Sequence, residues 1–218
     1  MKPVRLAILG LGTVGGGALK LLQENAAEIR RRTDREIQIT HVGTRRPRPD
    51  LNLADSVKQS ADLMEIVRQP DVDVVVEVMG GIHPAYELIM EAMKHGKHVV
   101  TANKALLAEH GTALFKAADE YKVQIAYEAA VAGGIPIIKV IREGLAANRI
   151  DWLAGIINGT GNFILSEMRE KGRTFEDVLK EAQELGYAEA DPTFDVEGID
   201  AAHKLTLLAS IAFGIPLQ

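Results

Sequence analysis

Short apolar runs alternate with helix-period segments from the start of the chain to about residue 150. Val4–Leu9, Ile37–Val42, Val72–Val78, His98–Thr101 and Val123–Tyr127 are short and mostly rich in Val and Ile, which predicts strands. Between them, apolar positions recur at helical spacing over Thr13–Arg31, Leu63–Gln69, Pro84–His95, Ala105–Tyr121 and Pro136–Ala147, which predicts helices. Strands separated by helices of this length form βαβ units, hence an α/β fold with a doubly wound parallel sheet covered on both faces. The segment 71–78 reads D-V-D-V-V-V-E-V, nearly continuous valine, which suits a central strand.

Beyond residue 150 the pattern changes. Asp151–Ile157 predicts one more strand, followed by the loop Asn158–Asn162 and a helix near Phe163–Glu170. Thr174-Phe175-Glu176-Asp177 opens a further helix as a capping box, and that helix ends at Gly186. A polar loop, Tyr187–Asp195, leads into a last helix at about Gly198–Phe213. The pattern thus predicts a first domain over 1–150 and the start of another over 151–218. The second stretch falls short of the roughly 70–80 residues that a stable core needs.

The composition narrows the class. The chain has 218 residues, a formal charge of −5, 47% hydrophobic and 25% charged residues, the balance of a folded globular protein. Its one dense basic run, Arg30–Arg32 with Arg35, argues against a nucleic-acid-binding surface. Without a single Cys there is no disulfide framework, thiolate metal site or cysteine nucleophile. Val4–Leu11 runs into glycines and a charged helix rather than a cleavage site. The stretch Leu205–Leu217 is interrupted by Thr206, Ser210, Gly214 and Pro216. It falls short of the roughly 20 apolar residues of a membrane span. The expected compartment is the cytoplasm.

Chemistry enters with Gly10-Leu11-Gly12-Thr13-Val14-Gly15, a G-x-G-x-x-G set between a strand and a helix, the fingerprint of a Rossmann-type dinucleotide site. Gly10 permits the tight turn, Gly12 lets backbone approach a pyrophosphate, and Gly15 lets helix pack on strand. Thr13 and Val14 supply the first helical amides. The second strand runs out into Gly43-Thr44-Arg45-Arg46, with no acid for a ribose 2′-hydroxyl. Arg45 and Arg46 suit a 2′-phosphate, so NADP is favoured over NAD, unless both arginines are simply solvated.

Lys104 follows the fourth predicted strand and opens a helix, where a cation opposes the helix dipole. Ligands of open α/β sheets sit beyond strand carboxyl ends, so this lysine is a candidate, or else a lysine in solvent. In the last helix Asp200 and Lys204 stand four apart on one face, which continues through Leu207, Leu208 and Ile211. A lysine entering an apolar stripe needs a partner, and Asp200 is one turn away. The pair reads either as a proton-transfer group or as a structural ion pair with a snorkelling stem. Upstream, Glu189, Asp191, Asp195, Glu197 and Asp200 gather acid beside it, suiting an amino-acid substrate or forming a solvated loop.

The run Leu185-Gly186-Tyr187-Ala188-Glu189-Ala190-Asp191-Pro192, continuing through Asp195, Gly198 and Asp200 to Lys204, resembles the signature of homoserine dehydrogenases. The glycine loop, Thr101-Ala102-Asn103-Lys104, Glu128–Pro136 and Asn158-Gly159-Thr160 resemble that family too, in order. The resemblance covers essentially the whole chain. It implies NAD(P)-dependent interconversion of L-homoserine and L-aspartate 4-semialdehyde, on the way to threonine, methionine and isoleucine. It implies that Lys204 exchanges the proton at the reacting oxygen and that Lys104 lies near nicotinamide and substrate. Glu189 and Asp200 would hold homoserine, with Gly186, Thr160 and Asp195 nearby. It further implies a Na⁺ or other monovalent cation on Glu128 and the carbonyls of Val131, Gly133 and Ile135. It also implies a substrate and dimerisation domain after residue 150, and a homodimer.

Members of that family are longer, so the expectation is an N-terminal portion whose regulation is not legible. Two rival readings stand beside this one. Met93–Val100 (M-K-H-G-K-H-V-V) also suits a glucose–fructose-type sugar oxidoreductase, although Asn103-Lys104-Ala105 stands where that family has Glu-Lys-Pro. The other rival is a non-catalytic NADP-binding module, which has no use for a buried Asp200–Lys204 pair.

Overall fold

A computed structural model describes residues 2–46 and 48–217. Pro47, inside the basic loop Arg45–Pro49, lies outside the described residues. The chain divides into two compact units, residues 1–134 and 135–218.

The first unit runs β1 (Val4–Leu9), α1 (Thr13–Glu24), α2 (Ala26–Thr33), β2 (Ile37–Gly43), β3 (Lys58–Ser60), α3 (Leu63–Arg68), β4 (Val74–Glu77), α4 (Ala85–Lys94), β5 (His98–Thr101), α5 (Lys104–Tyr121) and β6 (Ile125–Ala126). All six strands are parallel, in the order β3-β2-β1-β4-β5-β6. The order reverses at β1, so the connections that leave the neighbouring strands β1 and β4 run in opposite directions along the sheet. The crevice this leaves at the strands' carboxyl ends is where doubly wound sheets bind ligands. Ile8, Leu11, Leu19 and Val42 are buried together, and Leu51, Leu53 and Val57 of the loop after β2 pack onto them.

Several predicted boundaries shift. The predicted helix Thr13–Arg31 is two helices, broken at Asn25. β3 was not predicted because its Lys58-Gln59-Ser60 carries no apolar signal. In β2 the pairing with β1 skips Thr40. Its hydroxyl lies 3.3 Å from the Leu6 carbonyl and 3.2 Å from that of Asp71, a side-chain substitute for the interrupted ladder. At the far end of β1, Arg5 grips Asp73 through Nε and Nη2 at 2.9 and 2.7 Å.

The second unit is helical: α6 (Ile137–Lys139) continuing as a π turn (Val140–Gly144), then α7 (Gly159–Lys171), α8 (Phe175–Glu184), α9 (Thr193–Val196) and α10 (Ile199–Phe213). Asp151–Ile157, predicted as a strand, has no regular secondary structure, since no ladder partner lies alongside it among the described residues. The second unit begins at Ile135, and within it the turn Val140–Gly144 packs on α10. The Thr174 cap is present, its Oγ1 accepting from the Asp177 amide at 3.2 Å. Among the described residues no helix is long and apolar enough to cross a membrane.

Candidate functional site

The candidate groups fall into two sets, one in each unit. In the first unit, Gly10 has φ +95°, and a Cβ on Gly15 would stand 1.8 Å from the Gly10 carbonyl oxygen. Only glycine closes this strand-to-helix turn. A Cβ on Gly12 would meet nothing within 4 Å, so that backbone faces open space. Gly12 caps α1 without a side chain, so the first amides of α1, those of Thr13 and Val14 among them, are left to a ligand. These features fit a dinucleotide pyrophosphate.

A cleft of about 680 Å³ opens there, lined by Gly10, Gly12, Gly43, Arg45, Val78 and Gly80 among others. Arg45 lines the cleft. Arg46 is exposed and does not line it. A third arginine was missed. Arg48 donates through Nη1 to the Leu11 carbonyl inside the glycine loop, and through Nε and Nη2 to Asp50 at 2.8 and 2.7 Å. It pins the loop after β2 to the turn after β1. The only sequence signal was its place in R-R-P-R-P.

Lys104, half-buried, is the first residue of α5, capped by the Asn103 side chain. Beneath it lies a network that the valine-rich reading of β4 hid, linking Glu77, Thr101 and Asn103, all buried.

In the second unit, Asn158 is a hub. Its Oδ1 accepts from the Gly161 amide at 2.6 Å, capping α7, while Nδ2 donates to Asp195 Oδ1 at 2.7 Å and Asp200 Oδ2 at 2.9 Å. Asp200 Oδ2 also accepts from Lys204 Nζ at 2.5 Å, and Lys204 donates to the Ile157 carbonyl at 2.9 Å. The Asp200 and Lys204 side chains are 8% and 20% exposed. Lys204 is therefore held, not snorkelling freely. Thr160 Oγ1 donates to the Tyr187 carbonyl at 2.7 Å, fastening α7 to the turn after α8, where Gly186 takes φ +75°.

Asn158, Asp195, Asp200 and Lys204 thus share one cluster, while Thr160, in the first turn of the helix that Asn158 caps, bonds instead to the Tyr187 carbonyl. Glu189 does not join the cluster: its side chain is exposed, and only its backbone carbonyl is engaged, by Gln183. The sequence places Asn158 only in the loop before a helix, because its partners Asp195 and Asp200 lie 37 and 42 positions along the chain. Beside the cluster, Ile156, Ile157, Ile164, Leu165 and Phe175 line a cleft of about 400 Å³.

Glu128, which opens a 3-10 turn, Val131 and Gly133 belong to the first unit and Ile135 to the second. Between them Ala132 and Gly134 take φ +50° and +85°. Among the described residues no three acidic, His or Cys side chains gather as a metal site.

Comparison with known proteins follows this division. A family profile described as "Homoserine dehydrogenase, NAD binding domain" matches residues 10–128, and one described as "Homoserine dehydrogenase" matches residues 136–218. A homoserine dehydrogenase of Pseudomonas aeruginosa is 65% identical over 218 residues, all of this chain and 50% of that protein. One from Neisseria gonorrhoeae is 58% identical over the same span, again 50% of its length. The chain therefore spans about half the length of these curated relatives. The crystal structure of a homoserine dehydrogenase from Thiobacillus denitrificans superimposes with a TM-score of 0.92 at 60% identity, over all of this chain and 51% of that one. A hyperthermophilic archaeal homoserine dehydrogenase in complex with NADPH gives a TM-score of 0.84 at 30% identity, over 99% of this chain and 71% of that one. None of these four is a sugar oxidoreductase.

Proposed function

This chain belongs to the homoserine dehydrogenase family, and from that we propose that the complete protein interconverts L-homoserine and L-aspartate 4-semialdehyde with a nicotinamide cofactor. The observation that carries the reading is the Asp200–Lys204 pair, fixed by Asn158 and the Ile157 carbonyl. A bound nicotinamide supplies the hydride acceptor or donor. The chain's own groups hold the reactants and move the proton.

The glycine loop and the amides of Thr13 and Val14 take the pyrophosphate. Arg45 faces the 2′-phosphate of NADP, in preference to NAD, with Arg46 in support; the absence of an acid after β2 and the place of Arg45 in the cleft support this. Lys104 stands at the carboxyl end of β5, toward nicotinamide and substrate. Lys204 Nζ gives its proton to the carbonyl oxygen during aldehyde reduction and takes the hydroxyl proton during alcohol oxidation. Two of its three hydrogens are spent on Asp200 and Ile157, which aims the remaining one. Asp200 and Glu189 hold homoserine, with Asp195, Thr160 and Gly186 shaping the site.

A monovalent cation on Glu128 and the carbonyls of Val131, Gly133 and Ile135 is part of this reading. One carboxylate with carbonyl oxygens is a hard donor set of low charge, suited to an alkali ion. The left-handed Ala132 and Gly134 alternate with the carbonyl donors. The reading places the protein in the cytoplasm, as a homodimer, in the route to threonine, methionine and isoleucine. It gives residues 1–150 the cofactor role and 151–218 the substrate role.

The test is NADPH formation by the complete protein from L-homoserine and NADP⁺, with D-glucose as the contrasting alcohol. Homoserine-dependent reduction is expected. Reduction with glucose alone, or with neither, overturns the reading.

A further inference from the structure

Glu77 ends β4 with no exposed surface at all, a carboxylate where the strand otherwise offers only valine. Such a group is costly to bury, and a valine would pack there without that cost. Its bonds show what it holds. Oε1 accepts from the Met79 amide at 2.9 Å, and Oε2 accepts from the Thr101 hydroxyl at 2.7 Å. Thr101 Oγ1 in turn accepts from the Asn103 amide at 3.0 Å. Asn103 Nδ2 donates to the Gly81 carbonyl at 2.6 Å, and its Oδ1 accepts from the Leu106 amide at 3.2 Å. The chain of bonds starts and ends on the same loop, at Met79 and at Gly81, and closes a ring.

That ring joins two segments of different origin. One is the loop after β4, whose Val78, Met79 and Gly80 line the cofactor cleft. Its Gly80 and Gly81 take φ +78° and +76°, a conformation with little restraint of its own. The other is the turn after β5, whose Asn103 caps the helix that begins at Lys104. We infer that Glu77, Thr101 and Asn103 are positioning residues that fix the cleft loop and Lys104 in one mutual register. Neither segment can shift without breaking a bond of this network, which is anchored on the buried Glu77 carboxylate through Met79 and Thr101. The identity of the cofactor rests on the function proposed above; the coupling of the two turns does not.

Thr101→Val in the complete protein tests this, because valine keeps the shape and removes only the hydroxyl. NADPH affinity, read by fluorescence titration, is expected to fall about tenfold, the scale of a small misplacement of binding groups. Hydrogen exchange at the Met79 and Asn103 amides should quicken together, while Val75 and Val99 in the sheet keep their protection. Thr101→Ser, which retains the hydroxyl, should restore both. Unchanged affinity in the folded valine variant overturns the inference. So does loosening of one turn alone, or equal loosening of the sheet. If Thr101→Val fails to fold, Glu77→Gln decides by the same readings, since its amide still accepts from Met79 but strands the Thr101 hydrogen. If the parent protein does not bind NADPH, the cofactor reading fails and exchange alone judges the coupling.

Discussion

Lys204 Nζ lies 2.5 Å from Asp200 Oδ2, one helical turn away, and the same carboxylate oxygen accepts from Asn158 at 2.9 Å. A structural ion pair needs none of this surrounding order. Lys204→Met in the complete protein is therefore expected to lower turnover about 10²–10⁴-fold, the scale of a lost acid–base group. Cofactor affinity should hold, because the pyrophosphate groups lie in the other unit. Asp200→Ala strands a lysine that is only 20% exposed, and should also cost about 2–4 kcal/mol of stability. Turnover and thermal midpoint measured on both variants separate the roles. Near-normal turnover from folded Lys204→Met ends the proton-transfer assignment.

Cofactor choice should reside in Arg45 more than Arg46, since only Arg45 lines the cleft. Arg45→Ala is expected to weaken NADP⁺ binding about 10–100-fold, the worth of a charge-assisted bond, and to leave NAD⁺ binding unchanged. Arg46→Ala should do less. Titration of both cofactors against both variants checks this, and equal losses for NADP⁺ and NAD⁺ refute it.

What was legible in the sequence had a period or a spacing. β1 and β5 fall where the apolar runs begin and end. Gly10 to Gly15 and the Asp200–Lys204 pair carry their geometry in their intervals. Features made by distant partners were not legible. Lys58–Ser60 is a strand because β2 lies beside it, and Asp151–Ile157 is not one because no neighbour supplies a ladder. Asn158 acquires its role from residues 37 and 42 positions away. Glu77 was hidden because a lone acid in a valine run reads as a strand end. Its meaning depends on Thr101, 24 positions later.

Acid should destabilise the first unit in two stages. Burial lowers the His41 pKa, against the opposing pull of Asp71, whose Oδ1 is 3.8 Å from Nε2; Lys58 lowers it and Glu65 raises it more weakly. The unfolded chain then takes up the proton first, so stability falls as pH drops below about 6.5. Asp73 is held at about 2 by its hydrogen bonds from Arg5. Its contribution is complete above the unfolded value of 3.8 and is lost as pH falls toward 2. His41→Leu should flatten the thermal midpoint between pH 7 and 5 (about one pH unit either side of the histidine range), and Asp73→Asn should flatten it only in the lower stage. A pH profile unchanged by either variant contradicts this assignment.

The cation reading makes Glu128 the one charged donor. Glu128→Gln is expected to abolish any rise of thermal midpoint that NaCl or KCl gives over an equal concentration of tetramethylammonium chloride, a cation too large for a small oxygen cage. A parent protein whose midpoint does not distinguish these salts has no such site.

The amide of Asn158 performs two tasks, and substitution can separate them. Its oxygen caps α7 through the Gly161 amide, while its nitrogen donates to Asp195 and Asp200. Asn158→Ala loses both, and should cost about 1 kcal/mol for the cap beyond the loss of a shared donor. Asn158→Asp keeps the cap but puts a third carboxylate where the donor was, within about 3 Å of two others. Like charges that close cannot all stay ionised, so the new group's pKa rises above its unfolded value. A raised carboxyl pKa gives stability that is present at low pH and lost as pH rises through the folded value, the opposite sense to Asp73. Asn158→Asp should therefore gain thermal midpoint, relative to the parent, on going from neutral to mildly acid solution, whereas Asn158→Ala should show a constant deficit. The KM for homoserine should rise in both at neutral pH, since Asp200 loses the group that orients it. Parallel pH profiles for the two variants would mean that the amide nitrogen does not hold the acids together, and that Asn158 is a cap and nothing more.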